Sequence, residues 1–170
     1  MDIVIQGQGF FQIRQTNGQI AYSRNGSFHL NRDGTLVTAD GDPLDPQITI
    51  PTGQLGITIG SDGTVSVLQA EQTQPQQIGR IELALFQNPA GLQNMGKNLF
   101  LATQASGDAV TGTPGENGLG TLLSGYVEQS NVSVVEEMVN MIISQRAYEA
   151  NSKVIRTADE MCTEANNVIR

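Results

Sequence analysis

Apolar positions along this chain follow two rhythms, and the change between them is the main organisational signal. From Met1 to about Tyr126 the apolar runs are short, β-branched or aromatic, and broken by Asn17-Gly18, Asn25-Gly26, Asp33-Gly34, Asp40-Gly41 and Asp62-Gly63. Such dipeptides accept the positive φ of tight hairpin turns. Three of them open a loose repeat at 17–22, 33–37 and 62–67, each read as a turn feeding a strand. Further strands are predicted at 2–5, 10–14, 27–30, 48–50, 55–59, 78–86 and 99–102. The polar stretch 69–77 predicts a loop. Residues 103–120, dominated by Gly and small polar side chains, predict a long excursion that packs no core.

From Val132 the pattern becomes helical and runs nearly to the C-terminus without Gly or Pro. Ser133 and Glu136 have the spacing of a capping box at its start. About 35 residues at 1.5 Å rise make a helix of about 50 Å, far beyond the dozen or so residues usual in globular domains. Val132, Val135, Val139, Ile142, Ala147, Ala150, Val154, Ala158, Met161, Ala165 and Val168 recur at short steps close to a 3.5 period, the mark of a coiled-coil seam. Met138, Met141, Ile143, Tyr148 and Ile155 widen the apolar surface beyond one seam, which predicts contact with more than one neighbour. The expected fold is therefore mainly β, hairpin-rich, with one long C-terminal α-helix of coiled-coil type. It divides into a β-rich domain at 1–125, with the Gly-rich excursion at 103–120, and a helical part at 126–170. Nothing in the β-rich part offers a matching helix, so the helix is expected to find its partner in other copies, other proteins or a segment outside this sequence.

Composition narrows the function. The chain has 170 residues, within the range of one domain plus an appendage. Its net charge of −8 repels phosphate backbones, and the absence of Trp with 5% aromatics gives a poor stacking platform. Neither a nucleic acid nor a small-molecule substrate is an expected partner. No apolar run reaches the roughly 18 residues of a membrane span, and no cleavable signal opens the sequence. The single Cys162 excludes an internal disulfide. With neither His nor a basic cluster beside it in sequence, it is read as a helix-surface or interface residue.

A search for chemistry yields no catalytic, metal-binding or cofactor-binding residue. His29 is the only histidine, lies in a predicted strand, and has no ligand-spaced Cys or His near it. No Gly-x-Ser-x-Gly elbow presents a nucleophile. Gly7-Gln-Gly-Phe-Phe11 lacks the Lys and the following helix of a phosphate loop and is read as a strand bend. Asp40, Asp42 and Asp45 have spacing like a calcium loop, but Pro43 and Pro46 interrupt them and no Glu closes the set. Glu136 and Glu137 suit the positive end of the helix dipole without any further role.

At these residues a resemblance adds what periodicity does not. Gly125–Val132, Val135–Ile142 and Gln145–Lys153 resemble the C-terminal signature of the bacterial flagellar rod and hook family. Ile5–Phe11 and Tyr22–Phe28 resemble the family's entry into its β-domain, with Gly7, Gly9, Phe10, Phe11, Arg24, Gly26, Phe28, Ser130 and Asn131 as the matching motif residues. Asn151–Ile155, Thr157–Met161 and the stretch 106–120 look most like the family's distal-rod members. The resemblance implies a structural, non-enzymatic subunit with no cofactor, exported without a cleaved signal peptide and built into a helical axial tube. Its implied partners are further copies of itself, other rod and hook subunits, and the ring proteins of the peptidoglycan layer and outer membrane. The implied location is the basal body, from periplasm to outer membrane. Assembly is expected to rest on Val132, Val135, Val139, Ile142, Ala147, Val154, Ala158 and Met161, with Arg146, Glu149 and Lys153 as polar contacts between subunits. The family's N-terminal helix is expected to precede Met1. A hook or proximal-rod subunit, and a secreted carbohydrate-binding β-module, are the alternative readings.

Overall fold

The computed structural model describes residues 1–51, 53–69, 74–128 and 132–168, with side-chain surroundings to 166. The architecture is the expected one, β-strands followed by a single C-terminal helix. The chain divides into two compact units, Met1–Glu128 and Gln129–Arg170.

In the first unit, β2 (Phe10–Arg14) is the organising strand. One side pairs antiparallel along its length with β3 (Ile20–Ser23). The other side is shared: Phe10 and Phe11 pair with β10 (Leu83–Leu85), while Gln12 and Ile13 pair with β6 (Leu44–Asp45). Continuing outward, β12 (Leu99–Leu101) and β11 (Gln93–Gly96) follow β3, and β13 (Val110–Gly112) follows β10. A second, three-stranded sheet joins β7 (Gln54–Ile59), β8 (Thr64–Gln69) and β9 (Gln76–Arg80). Two pairs complete the unit, β1 (Ile3–Gln6) with β14 (Thr121–Ser124), and β4 (His29–Leu30) with β5 (Leu36–Val37).

Alternation along β2 sends successive side chains into two apolar clusters on its opposite faces. Phe11 and Ile13 enter the main core with Ile3, Phe28, Leu36, Leu44, Val65, Ile81 and Leu83. Phe11 and Phe28 meet edge to face with centroids 5.2 Å apart. Phe10 lies in the smaller cluster with Tyr22, Phe86 and Phe100, again edge to face. The few aromatic residues are thus mostly spent inside, where such geometry suits the ring quadrupoles.

Several expectations are corrected. The run predicted as one strand at 78–86 is two, because Ile81 is drawn to the Gly63 carbonyl at the crossing from one sheet to the other. Residues 48–50 are not a strand: Ile48 and Ile50 are buried, but only Thr49 makes a bridge, to Thr35. The loop expected at 69–77 is narrower, since strands take Gln69 and Gln76–Gln77; residues 70–73 lie outside the described residues. Strands β6, β11, β13 and β14 had no distinct expectation.

The largest correction is the stretch 103–120, which does contribute to the core. Leu119 is buried, β13 adds to the main sheet, and the Gly120 amide donates to the Gln8 carbonyl at 2.7 Å. Ser106 anchors the entry. Fully buried, its hydroxyl accepts from the Thr103 amide and donates to the carbonyls of Thr103 and Gly107, at 2.9, 2.8 and 3.1 Å. Replacing Ser106 by Ala leaves the Thr103 amide and the Gly107 carbonyl without the hydroxyl, while the Thr103 carbonyl keeps the residue 106 amide, 3.2 Å away. The expected loss is about 1–3 kcal/mol, read as a lower urea midpoint at unchanged slope.

Candidate functional site

The second unit carries α1, Val134–Val168, one uninterrupted helix of 35 residues. Ser133 caps it, its Oγ accepting from the Glu136 amide at 3.4 Å, while Glu136 and Glu137 occupy the first turn. Further along, the hydroxyls of Ser144, Thr157 and Thr163 donate back to the carbonyls of Asn140, Lys153 and Asp159. Hydroxyls satisfied on their own helix need no outside polar partner.

What the helix does not satisfy is its apolar surface. Val134, Val135, Met138, Val139, Met141, Ile142, Ile143, Tyr148, Val154, Ile155 and Met161 are all exposed, from 48% at Val139 to 77% at Tyr148. Monomeric soluble proteins rarely leave contiguous apolar patches of this extent bare.

The apolar positions form two faces. At about 100° per residue, every apolar side chain from Val134 to Ile143 falls in one arc of about 200°, with Glu136, Glu137 and Asn140 opposite. From Ala147 to Ala165 the apolar arc is centred about 160° away by the same geometry. It holds Ala147, Tyr148, Ala150, Val154, Ile155, Ala158 and Met161, interrupted by Asn151. The side that is apolar in the first half carries Arg146, Glu149, Lys153, Arg156 and Glu160 in the second. The seam read along the sequence hides this change in one step of five residues, from Ile142 to Ala147.

The motif residues of the first unit gather at one corner. Gly7 and Gly9 have φ of +120° and +135°, a conformation glycine adopts cheaply, and it lets the carbonyls of Ile5, Gly7 and Gly9 converge. The Arg24 guanidinium donates to all three, at 3.1, 2.8 and 3.2 Å. Its Nε also pairs with Glu128 at 3.2 Å. Gly26 lies against the backbone of Ile3, and Phe28 fills the core beneath. Ser130 and Asn131 lie outside the described residues.

The residues weighed for chemistry are dispersed. His29 is exposed on β4, and Cys162 is exposed on α1. Asp40 pairs with Lys97, Asp42 accepts from Thr16, and Asp45 pairs with Arg14. Among the described residues no three His, Cys, Asp or Glu side chains come together as a metal site, and no helix is long and apolar enough to cross a membrane. Among the described residues two groups are shifted from their usual titration range for local reasons. Burial and then the charge of Asp45 push the Tyr22 phenol up. Hydrogen bonds from Thr64 hold the Asp62 carboxyl down.

The sequence names Arg24 only as a motif residue and shows an apolar helix surface wider than one seam; the contacts of Arg24 and the reversal of the apolar face between the two halves of α1 were missed. Arg24 carries no periodic signal, since an arginine in a strand-to-turn segment reads as a solvated charge.

Comparison with known proteins places both units. Residues 4–67 match the family model described as the flagellar hook protein FlgE/F/G D1 domain, and residues 123–168 match the flagellar basal body rod FlgEFG protein C-terminal region. The chain is 53% identical over 160 residues to a flagellar basal-body rod protein FlgG of Buchnera aphidicola from Schizaphis graminum, covering 94% of this chain and 62% of that protein. It is 41% identical over 175 residues to the FlgG of Bacillus subtilis, covering 100% of this chain and 66% of that protein. Its match to the flagellar hook protein FlgE of Salmonella typhimurium is 43% over 111 residues, covering 65% of this chain and 27% of that protein. The chain therefore spans less than two thirds of the length of these relatives. With both units matched by the family's models and the similarity to rod proteins extending over nearly all of this chain, the chain belongs to the flagellar rod and hook protein family.

Proposed function

We propose that this chain is the β-domain and C-terminal helix of a distal-rod subunit, a structural part of the flagellar drive shaft that works by helical assembly and not by catalysis. The observation that carries this is the bare apolar surface of α1, on opposite sides in its two halves. A helix of that kind is covered by neighbours on two sides, and such contacts, repeated head to tail, build an open assembly. The higher identity and wider coverage of the rod relatives favour rod over hook. In this reading residues 126–170 form the axial part and residues 1–125 the outer part. Val132, Val135, Val139, Ile142, Ala147, Val154, Ala158 and Met161 pack between subunits, while Arg146, Glu149 and Lys153 make the polar contacts at the rim. Other rod and hook subunits and the rings of the peptidoglycan layer and outer membrane are the further partners, reached by export without a cleaved signal.

The test is sedimentation velocity with negative-stain microscopy across a concentration series. The unaltered chain is expected to form larger species or short tubes as concentration rises, and the Val139→Asp, Val154→Asp double variant to stay monomeric. An unaltered chain that remains monomeric throughout removes self-assembly of this chain alone from the reading and leaves another protein, or a segment outside this sequence, as the cover of the helix.

A further inference from the structure

We infer that Arg24 is a positioning residue that fixes where the chain leaves the β-unit on its way to the helix. The observations are geometric. Four hydrogen-bond acceptors converge on one guanidinium: the carbonyls of Ile5, Gly7 and Gly9, and the Glu128 carboxylate. The three carbonyls run from the end of β1 through the bend before β2, a segment rooted in the core through Ile3, Ile5 and Phe11. Glu128 is the last residue of that unit. Without Arg24, the last described tether of the exit segment is the Gly125 amide, which donates to the Asp2 carbonyl at 2.8 Å. Arg24 carries the attachment from Gly125 to Glu128, three residues nearer the helix.

The chemistry explains why arginine fills this place. A planar fork of five donors can meet a bent backbone on one edge and a carboxylate on another, which a lysine ammonium cannot do with the same reach. An ordinary surface ion pair gains little, largely because two long side chains must be ordered to make it. Here the carbonyls already hold the guanidinium, so only Glu128 has to be ordered. The side chains of Arg24 and Glu128 are 32% and 48% exposed, so the pair remains open to screening by salt. The inference stands whether or not the assembly reading holds.

The experiment uses the full chain with Cys162→Ser and Val127→Cys, the exposed Val127 position carrying a nitroxide label whose spectrum reports local mobility. Glu128→Gln is expected to raise the mobile fraction about two- to five-fold, the range an exposed ion pair supports, with the thermal midpoint of the β-unit unchanged. Salt at about 1 M, where the Debye length is about 3 Å, is expected to mobilise the label in the parent and to leave Glu128→Gln as it was. Arg24→Lys is expected to mobilise the label to the same degree and also to lower the midpoint, because the bend between β1 and β2 loses its shared donor. Identical spectra for parent and Glu128→Gln overturn the inference. So does a fall in midpoint with Glu128→Gln, which makes the pair a general stabilising contact and not a positioning one.

Discussion

Gly26→Ala abolishes the near-UV circular dichroism of the packed aromatic residues, or lowers the urea midpoint of the β-unit by the equivalent of about 3 kcal/mol or more. A Cβ on Gly26 would lie 1.7 Å from the Ile3 carbonyl oxygen, 2.8 Å from its carbon and 3.1 Å from the Phe11 ring. The first two contacts are backbone, so no side-chain rotation relieves them. Relief requires β1 to move away, and β1 is held here by the Ile3 amide donating to the Gly26 carbonyl at 3.0 Å. Moving it breaks that bond and opens the core where Ile3, Phe11 and Phe28 meet. Gly56→Ala is the matched control: a Cβ there meets nothing within 4 Å, and the midpoint is expected to hold or rise slightly. Equal losses at the two positions would mean that the close approach at Gly26 does not govern the effect, since the chain-entropy change of Gly→Ala is itself stabilising.

This corner also shows what was legible in the sequence and what was not. The hairpin positions were readable because Asn-Gly and Asp-Gly carry their own turn chemistry. The β-rich unit and the long helix followed from the change of period near Val132. The division of 78–86 into β9 and β10 was not readable, since Ile81, between Arg80 and Glu82, alternates apolar and polar with Leu83 as within one strand, and only the two sheets it passes between separate them. The stretch 103–120 misled for a different reason. Its order comes from backbone pairing and from Ser106 and Leu119, and composition counts neither. Arg24 acts through three backbone carbonyls that become neighbours only once Gly7 and Gly9 have turned the chain. The two faces of α1 are fully present in the sequence, but following a single seam through both halves averages them away.

Those faces give the second large effect. Val139→Asp and Val154→Asp each weaken self-association at least about a hundred-fold, because an aspartate forced into an apolar contact without a partner costs several kcal/mol and each 1.4 kcal/mol is tenfold. The two substitutions differ in what remains. Val139 belongs to the arc of residues 134–143 and Val154 to the nearly opposite arc of residues 147–165, so each variant loses one neighbour and keeps the other. A subunit with one good face left makes small, closed species and no tubes, and only the double variant is monomeric. Both positions are exposed in the single chain, so neither substitution should lower the stability of the β-unit. Val139→Ala controls for helix propensity, which changes by only a few tenths of a kcal/mol there and in the helix-favouring direction. Glu149→Gln or Lys153→Gln, on the charged side of the second half, should shift association a few-fold at low salt and hardly at all at high salt. Sedimentation of these variants separates the possibilities. If either single Asp variant is already monomeric, the two arcs serve one contact and the helix has a single seam after all; small oligomers from both singles mean that two neighbours grip it on opposite sides.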